Sequence, residues 1–227
     1  MNPKPTAIFF DVGNTLLFPD REVILAPLRA QGIDPSLEQW HLIERKTKKE
    51  FDSQMRSGTV DHGFWHLFYT HLLANLGVQD DRMRDQLTDT TRVSANWCII
   101  PPGTREALQR IGRQYRIGVI SNADGKIAEV LTTCGIADCF RTITDSGLVG
   151  YEKPHPAIFE AALRELQAQP EESLYVGDGY SIDYLGATNA GMQAVLLDVS
   201  GAYRETNYAR VESLRELEAR LAAATKE

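Results

Sequence analysis

The sequence predicts an α/β protein with a parallel sheet covered by helices and an all-helical insert near its start. Five short apolar runs are typical of buried parallel strands: residues 7–10, 117–120, 142–144, 174–176 and 194–197. Amphipathic segments long enough for crossover helices separate the second to the fifth run: residues 126–134, 156–167 and 182–190. This alternation of strands and helices indicates a parallel sheet with helices on both faces.

The stretch at residues 17–94 breaks the alternation, because its patterns are helical throughout. Asp34 and Pro35 have the form of a helix N-cap followed by proline in the first turn, so we expect a long helix to begin there. Asp61 is expected to cap a second helix, and a third helix is expected near residues 82–92. The sequence therefore predicts a helical insert between the first and second strands of the sheet.

This insert divides the predicted core into two stretches of chain. We expect residues 1–16 and 95–227 to form one core domain and residues 17–94 to form a separate helical domain. A helix expected at residues 211–224 has a one-sided leucine stripe that should pack on the sheet: Leu214, Leu217 and Leu221.

Composition and charge restrict the class of function. The chain has 227 residues and a formal net charge of -7, with 43% hydrophobic and 24% charged residues, which is ordinary for a globular protein. An acidic chain argues against non-specific nucleic-acid binding, which needs a basic surface to displace counterions. The three cysteines form no CxxC pair, and no stretch approaches the ~20 apolar residues of a membrane-spanning helix. We therefore expect a cytoplasmic protein without nucleic-acid or membrane partners; composition does not determine its oligomeric state.

Ligand sites in parallel sheets lie at the carboxyl ends of the strands, and four predicted strand ends here carry polar residues. The first is Asp11, which directly follows the first strand and precedes Val12, Gly13 and Asn14. A carboxylate held there is a candidate nucleophile, through an aspartyl-phosphate, or a ligand of a hard metal ion. A helix cap or a turn is the structural alternative, because Gly-Asn is common in turns.

The other three strand ends offer an anion site and a metal site. Ser121 and Asn122 follow the second strand, where a hydroxyl and exposed amides before a helix form a natural anion site, although Ser121 is equally compatible with a simple N-cap. Lys153, after the third strand, could hold a phosphate oxygen, whereas most single lysines are solvated. Asp178 and Asp183, five residues apart across a glycine-rich turn, suit Mg²⁺, although each could also cap a turn or a helix.

Together these motifs resemble those of the haloacid dehalogenase superfamily. The order is a strand-end Asp, a strand-end Ser, a Lys-Pro and a strand-end Gly-Asp-x4-Asp, and the resemblance covers the whole chain. The helical insert directly after the first motif is similar to the cap of this superfamily. The resemblance implies a Rossmann-like parallel sheet core and a small all-helical cap domain that closes over a small phosphorylated substrate.

The resemblance also implies a role for each motif residue. Asp11 would be the nucleophile and a magnesium ligand, and Gly13 would lend its backbone carbonyl to the metal. Asp178 would ligate Mg²⁺, and Asp183 would bind it directly or through water. Lys153 would also stabilise the negative charge at Asp11. The implied substrate-binding residues are Ser121, Asn122 and Lys153.

Gly13 departs from the pattern of the superfamily's phosphatases. These enzymes usually carry a second aspartate two residues after the nucleophile, which protonates the leaving group and then activates water. Gly13 has no side chain, and Asn14 does not exchange protons near neutral pH. Because general acid–base catalysis is typically worth about 10²–10⁴-fold, we expect low activity on substrates whose leaving group needs a proton.

Three functions remain open after this departure. The first is a Mg²⁺-dependent phosphatase for good leaving groups, or one with a proton donor from the cap side, where Asp20 and Glu22 are close in sequence. The second is a 2-haloacid dehalogenase, whose halide needs no proton, although Asp178 and Asp183 have the metal-binding form of the fourth motif. The third is a non-catalytic or weakly active binding protein on a hydrolase scaffold. For a phosphatase, Gly13→Asp is expected to raise hydrolysis of alkyl phosphates.

Overall fold

The computed structural model describes residues 4–58 and 63–223. The strands in this part of the chain are β1 Ala7–Phe10, β2 Phe18–Pro19, β3 Trp97–Ile99, β4 Arg116–Ser121, β5 Thr142–Asp145, β6 Ser173–Gly177, β7 Gln193–Leu197 and β8 Arg210–Val211. Six of them form a parallel sheet in the order β5-β4-β1-β6-β7-β8, while β2 pairs antiparallel with β3. The five predicted strands are confirmed as β1, β4, β5, β6 and β7, and the other three were not predicted.

Strand β1 lies in the middle of the sheet, because all four of its residues are apolar and buried. Phe10, at its end, is in register with Val119 of β4 on one side and Val176 of β6 on the other. The backbone N–H of Asp11 continues this pairing by donating to the carbonyl oxygen of Val176 at 2.8 Å. The residues that follow β1, β4 and β6 are therefore brought to one edge of the sheet.

The helices follow the alternation that the sequence predicts. They are α1 Arg21–Ile24, α2 Ala26–Arg29, α3 Leu37–Ser57, α4 Phe64–Asn75, α5 Asp81–Arg92, α6 Thr104–Gly112, α7 Ile127–Thr133, α8 Ser146–Val149, α9 Pro156–Leu166, α10 Leu185–Asn189 and α11 Leu214–Ala223. A π-helical turn, Tyr180–Tyr184, leads directly into α10. Helices α1 to α5 lie between β2 and β3, so the insert is mainly helical, while the prediction of helix throughout residues 17–94 is wrong at strand β2, which pairs with β3. Its division from the core at residues 17–94 stays a prediction.

Alternate residues of β1 enter two hydrophobic cores on opposite faces of the sheet. Ile8 and Phe10 belong to a core with residues of α6, α7 and α11, whereas Ala7 and Phe9 belong to one with residues of α9 and α10. The helical segment has a core of its own, formed mainly by α3, α4 and α5. Helices on both faces of a parallel sheet are the arrangement that the sequence predicts.

Two predicted helix starts are wrong. Helix α3 is capped by Ser36 rather than Asp34, because the Ser36 hydroxyl accepts from the backbone N–H of Gln39 and the Gln39 side chain accepts from that of Ser36, at 3.1 and 2.9 Å. The C-terminal helix begins at Leu214, because the residues before it pair with β7 as strand β8. The predicted cap Asp61 lies outside the described residues.

The leucine stripe of the C-terminal helix packs against the sheet as predicted, with Leu217 and Leu221 buried in the same core as Ile8 and Phe10. Among the helices in the described part of the chain, none is long and apolar enough to cross a membrane.

Candidate active site

Asp11 is buried at the end of the central strand β1. The Thr15 hydroxyl donates to its Oδ2 at 3.3 Å. The pKa of Asp11 is raised to about 7: burial is the largest cause, the Lys153 ammonium opposes the rise, and the negative charges of Asp183 and Asp178 add to it. Burial disfavours the ionised form of the Asp11 carboxyl, and a nearby cation favours it.

Lys153 supplies one such cation. Its buried ammonium donates to Oδ1 of Asp11 at 2.6 Å, to Oδ1 of Asp183 at 2.8 Å and to the hydroxyl of Tyr175 at 2.8 Å, so three partners match its three donors. Burial alone would lower the pKa of Lys153, but attraction to Asp11 and Asp183 raises it above its ordinary value. The ammonium therefore stays charged and fixed beside Asp11.

Three carboxylates meet at this place. Asp11, Asp178 and Asp183 each offer an oxygen atom, and these oxygens lie within 4.8 Å of one another. Burial raises the pKa of Asp178 as well, although Lys48 opposes the rise. Hard carboxylate oxygens are the donors that Mg²⁺ prefers, usually one or two of them together with water and phosphate. The donor set therefore fits Mg²⁺.

Glycines allow Asp183 to approach the end of β6 closely. A β-carbon on Gly177 would lie 2.5 Å from Cγ of Asp183, which no real side chain permits. The backbone N–H of Gly179 donates to Oδ2 of Asp183 at 2.9 Å. The glycine-rich turn thus serves to bring the second carboxylate of this motif beside the first.

Asn122 contacts Lys153 through its backbone. Its Oδ1 accepts from the N–H of Lys153 at 2.7 Å, and its Nδ2 donates to the carbonyl oxygen of Lys153 at 3.0 Å. Ser121 is buried at the end of β4, and the loop after it is held by the Asp145 carboxylate, which accepts from the N–H groups of Gly125 and Ile127 at 3.0 and 3.1 Å. The roles of Ser121 and Asn122 toward a substrate stay predictions.

Lys48 of α3 also reaches the site. Its ammonium lies 2.8 Å from Oδ2 of Asp178 and 2.8 Å from Oε1 of Glu44, and its side chain is only 4% exposed. The basic run at residues 45–49 has the composition of a solvated helix face, but Lys48 and Thr47 within it are buried. The helical segment therefore places a positive charge on a candidate metal ligand.

The structure does not support Asp20 or Glu22, the two residues considered as proton donors on the cap side. The Asp20 carboxylate caps α1 instead, accepting from the backbone N–H groups of Glu22 and Val23 at 2.9 and 3.3 Å. Glu22 is exposed. Gly13 faces the ring of Trp97, and the role of its carbonyl oxygen toward a metal stays a prediction.

Sequence reasoning identified four residues that the structure brings together, Asp11, Lys153, Asp178 and Asp183, and missed others. Tyr175 was counted only as part of a strand, although a tyrosine in a buried strand needs a partner for its hydroxyl. The signal for Lys48 was its spacing of four residues from Glu44 and from Asp52, which puts alternating charges on one helix face.

A family model for haloacid dehalogenase-like hydrolases matches residues 5–191. The chain belongs to this family. Its parallel sheet is the Rossmann-like core that the motifs predicted.

Relatives of known description agree with this assignment. A glyceraldehyde 3-phosphate phosphatase of Methanothermobacter thermautotrophicus is 43% identical over 99 residues, a match that spans 43% of this chain and 44% of the relative. The human haloacid dehalogenase-like hydrolase domain-containing protein 3 is 29% identical over 201 residues, or 83% of this chain and 80% of the relative. The magnesium-bound crystal structure of YfnB from Bacillus subtilis, described as a HAD-hydrolase, has a TM-score of 0.71 at 17% identity and covers 96% of this chain and 99% of its own.

Proposed function

We propose that this chain is a Mg²⁺-dependent phosphatase that acts on a small phosphorylated metabolite through an aspartyl-phosphate at Asp11. The observation that carries the proposal is the placement of the Lys153 ammonium 2.6 Å from Asp11, inside a group of three carboxylates whose oxygens lie within 4.8 Å. A nucleophile, a fixed cation and a hard-metal donor set are the parts that phosphoryl transfer needs.

The reaction would proceed in two displacements. In the first, a carboxylate oxygen of Asp11 attacks phosphorus, the ester P–O bond breaks, and the departing alkoxide takes a proton from water, leaving a hydroxide that the proton released in the second displacement neutralises. In the second, water attacks the phosphorus of the aspartyl-phosphate, releases inorganic phosphate and a proton, and restores the carboxylate. The sum is ester plus water giving alcohol plus phosphate.

The residues present have separate tasks in these steps. Asp11, Asp178 and Asp183 would hold Mg²⁺, which when bound neutralises charge on the transferred phosphoryl group. Lys153 remains charged and compensates the charge that gathers around Asp11. Gly13 supplies no proton to the leaving group, so acyl and aryl phosphates are expected to react faster than alkyl phosphates.

The relatives narrow the class of substrate. Several of the proteins that match this chain are named glyceraldehyde 3-phosphate phosphatase, which supports a small phosphorylated metabolite. Their matches span less than half of this chain. We therefore propose the class and use the triose phosphate as one probe among several.

The test is a panel of substrates with and without Mg²⁺: acetyl phosphate, p-nitrophenyl phosphate, glyceraldehyde 3-phosphate and 2-chloropropionate, with Asp11→Asn as the blank. We expect Mg²⁺-dependent release of phosphate, fastest from the acyl and aryl phosphates and lost in the blank. Turnover of 2-chloropropionate without metal would instead assign a dehalogenase. Tight binding of a phosphate ester without any turnover would assign a non-catalytic binding protein.

A further inference from the structure

Helix α3 carries a buried stripe of charged residues. Glu44, Lys48 and Asp52 follow one another at intervals of four, so they share one face of the helix, and all three are buried. Buried charges are costly unless they are paired. The Lys48 ammonium is paired twice, with Glu44 and with Asp178, both at 2.8 Å.

Contacts on either side of Lys48 fix α3 against the chain around the site. One turn further along the helix, the Asp52 carboxylate accepts from the N–H of Ser181 at 3.1 Å and from the hydroxyl of Tyr203 at 3.0 Å. On the other side, the Arg45 guanidinium donates to the carbonyl oxygen of Ser200 at 3.0 Å. Lys48 thus lies between two anchoring points of α3, with its side chain buried.

We propose that Lys48 is a positioning residue that acts through Asp178 and adapts the site to a metal ion together with a phosphate dianion. The inference rests on the proposed function, because it assumes a divalent ion at Asp178. Lys48 is expected to have opposite effects on the binding of the two ligands. The fixed ammonium weakens binding of the metal ion alone and strengthens binding of the anion.

The physical reason is the sign of the charges. A permanent positive charge 2.8 Å from an oxygen of Asp178 repels a divalent cation that shares this carboxylate. The same charge attracts a phosphate dianion that enters beside the metal. A residue that only held the helix in place would change both affinities in the same direction when removed.

The test compares Lys48→Met with Lys49→Met, which makes the same substitution in the same helix at a side chain that is 65% exposed and contacts the exposed Glu205, at 3.9 Å. Two affinities are measured by titration calorimetry: MgCl₂ binding to the free protein, and inorganic phosphate binding to the Mg²⁺-saturated protein. We expect Lys48→Met to bind Mg²⁺ about tenfold more tightly and phosphate about tenfold more weakly. We expect Lys49→Met to change either affinity by less than about twofold, since solvent screens its exposed charge.

If Lys48→Met does not fold, a second variant can be measured in its place. Lys48→Gln retains an amide that can donate to Glu44 and Asp178 but carries no charge, so it should show the same two opposite shifts. Shifts in the same direction in either variant overturn the inference and leave the phosphatase proposal intact. Wild-type protein that binds no Mg²⁺ overturns both.

Discussion

A β-carbon on Gly13 would lie 3.2 Å from Cζ3 of Trp97, so the indole ring occupies the space into which a side chain at residue 13 would extend. The ring is itself held in place. Its Nε1 donates to the carbonyl oxygen of Thr91 at 2.8 Å, and it packs against Trp65 with 5.4 Å between ring centroids. The missing aspartate is therefore accompanied by an aromatic residue that fills its place.

This relationship changes the expectation for Gly13→Asp. Alone, the substitution should give little gain, because the new carboxyl can enter only if the anchored ring of Trp97 moves. Combined with Trp97→Leu, which shortens the blocking side chain, it should raise kcat/KM for glyceraldehyde 3-phosphate by about 10²-fold with Mg²⁺ present, as expected for a restored general acid and base. Steady-state phosphate release measures this gain.

The matched control is Gly13→Asn with Trp97→Leu, which has the same shape but no exchangeable carboxyl proton, and it should show no gain. Fast hydrolysis of the alkyl phosphate by the wild type would mean that a proton donor exists elsewhere. No hydrolysis even by the aspartate double variant would favour the non-catalytic binding protein.

The Tyr175 hydroxyl contacts both members of the ion pair between Lys153 and Asp183. Its hydroxyl lies 2.8 Å from the Lys153 ammonium and 3.0 Å from Oδ1 of Asp183, and burial raises the pKa of Tyr175 well above its ordinary value, so it stays neutral. Tyr175→Phe should lower the free energy of unfolding by about 2 kcal/mol, the usual cost of losing a buried hydrogen bond to a charged group. Chemical denaturation measures the loss. Tyr151→Phe, whose side chain is exposed, is the control and should unfold like the wild type.

Asn122 either positions Lys153 or binds the substrate, and kinetics can distinguish these two roles. If it positions Lys153, as its two hydrogen bonds to the Lys153 backbone indicate, Asn122→Ala should lower kcat about 10–100-fold, as is typical when a supporting hydrogen bond is lost. KM and Mg²⁺ affinity should change little. If Asn122 instead binds the substrate, KM should rise while kcat is kept. Steady-state kinetics with acetyl phosphate separates the two outcomes.

The sequence predicted the strand-end residues of the site because each follows a short apolar run, and the ends of parallel strands share an edge. The spacing of Lys48 from Glu44 and Asp52 is a local signal, but only tertiary packing determines that Lys48 is buried while Lys46 and Lys49 of the same helical turn are exposed. The position of Trp97 opposite Gly13 depends on the pairing of β2 with β3, two short strands of two and three residues. Such short strands carry almost no periodic signal.

The pKa of Asp11 links pH to both stability and metal binding. Burial raises this pKa from 3.8 to about 7, so between about pH 4 and 7 the folded protein retains a proton that the unfolded chain has lost. The contribution of Asp11 to the free energy of unfolding therefore falls as the pH rises through this window, and it is constant above it. Below this pKa, Mg²⁺ must displace the proton, whereas above it the ionised carboxylate is ready to bind.

Saturating Mg²⁺ should therefore raise Tm more at pH 8 than at pH 6, because ligand stabilisation depends on affinity for the folded state. Thermal unfolding followed by circular dichroism, with and without MgCl₂ at each pH, measures the difference. In Asp11→Asn, where residue 11 no longer titrates, the Mg²⁺-induced shift should be smaller and vary less with pH. An equal shift at both pH values in the wild type would contradict a role for Asp11 as a metal ligand, because the ion would then bind without competing for its proton.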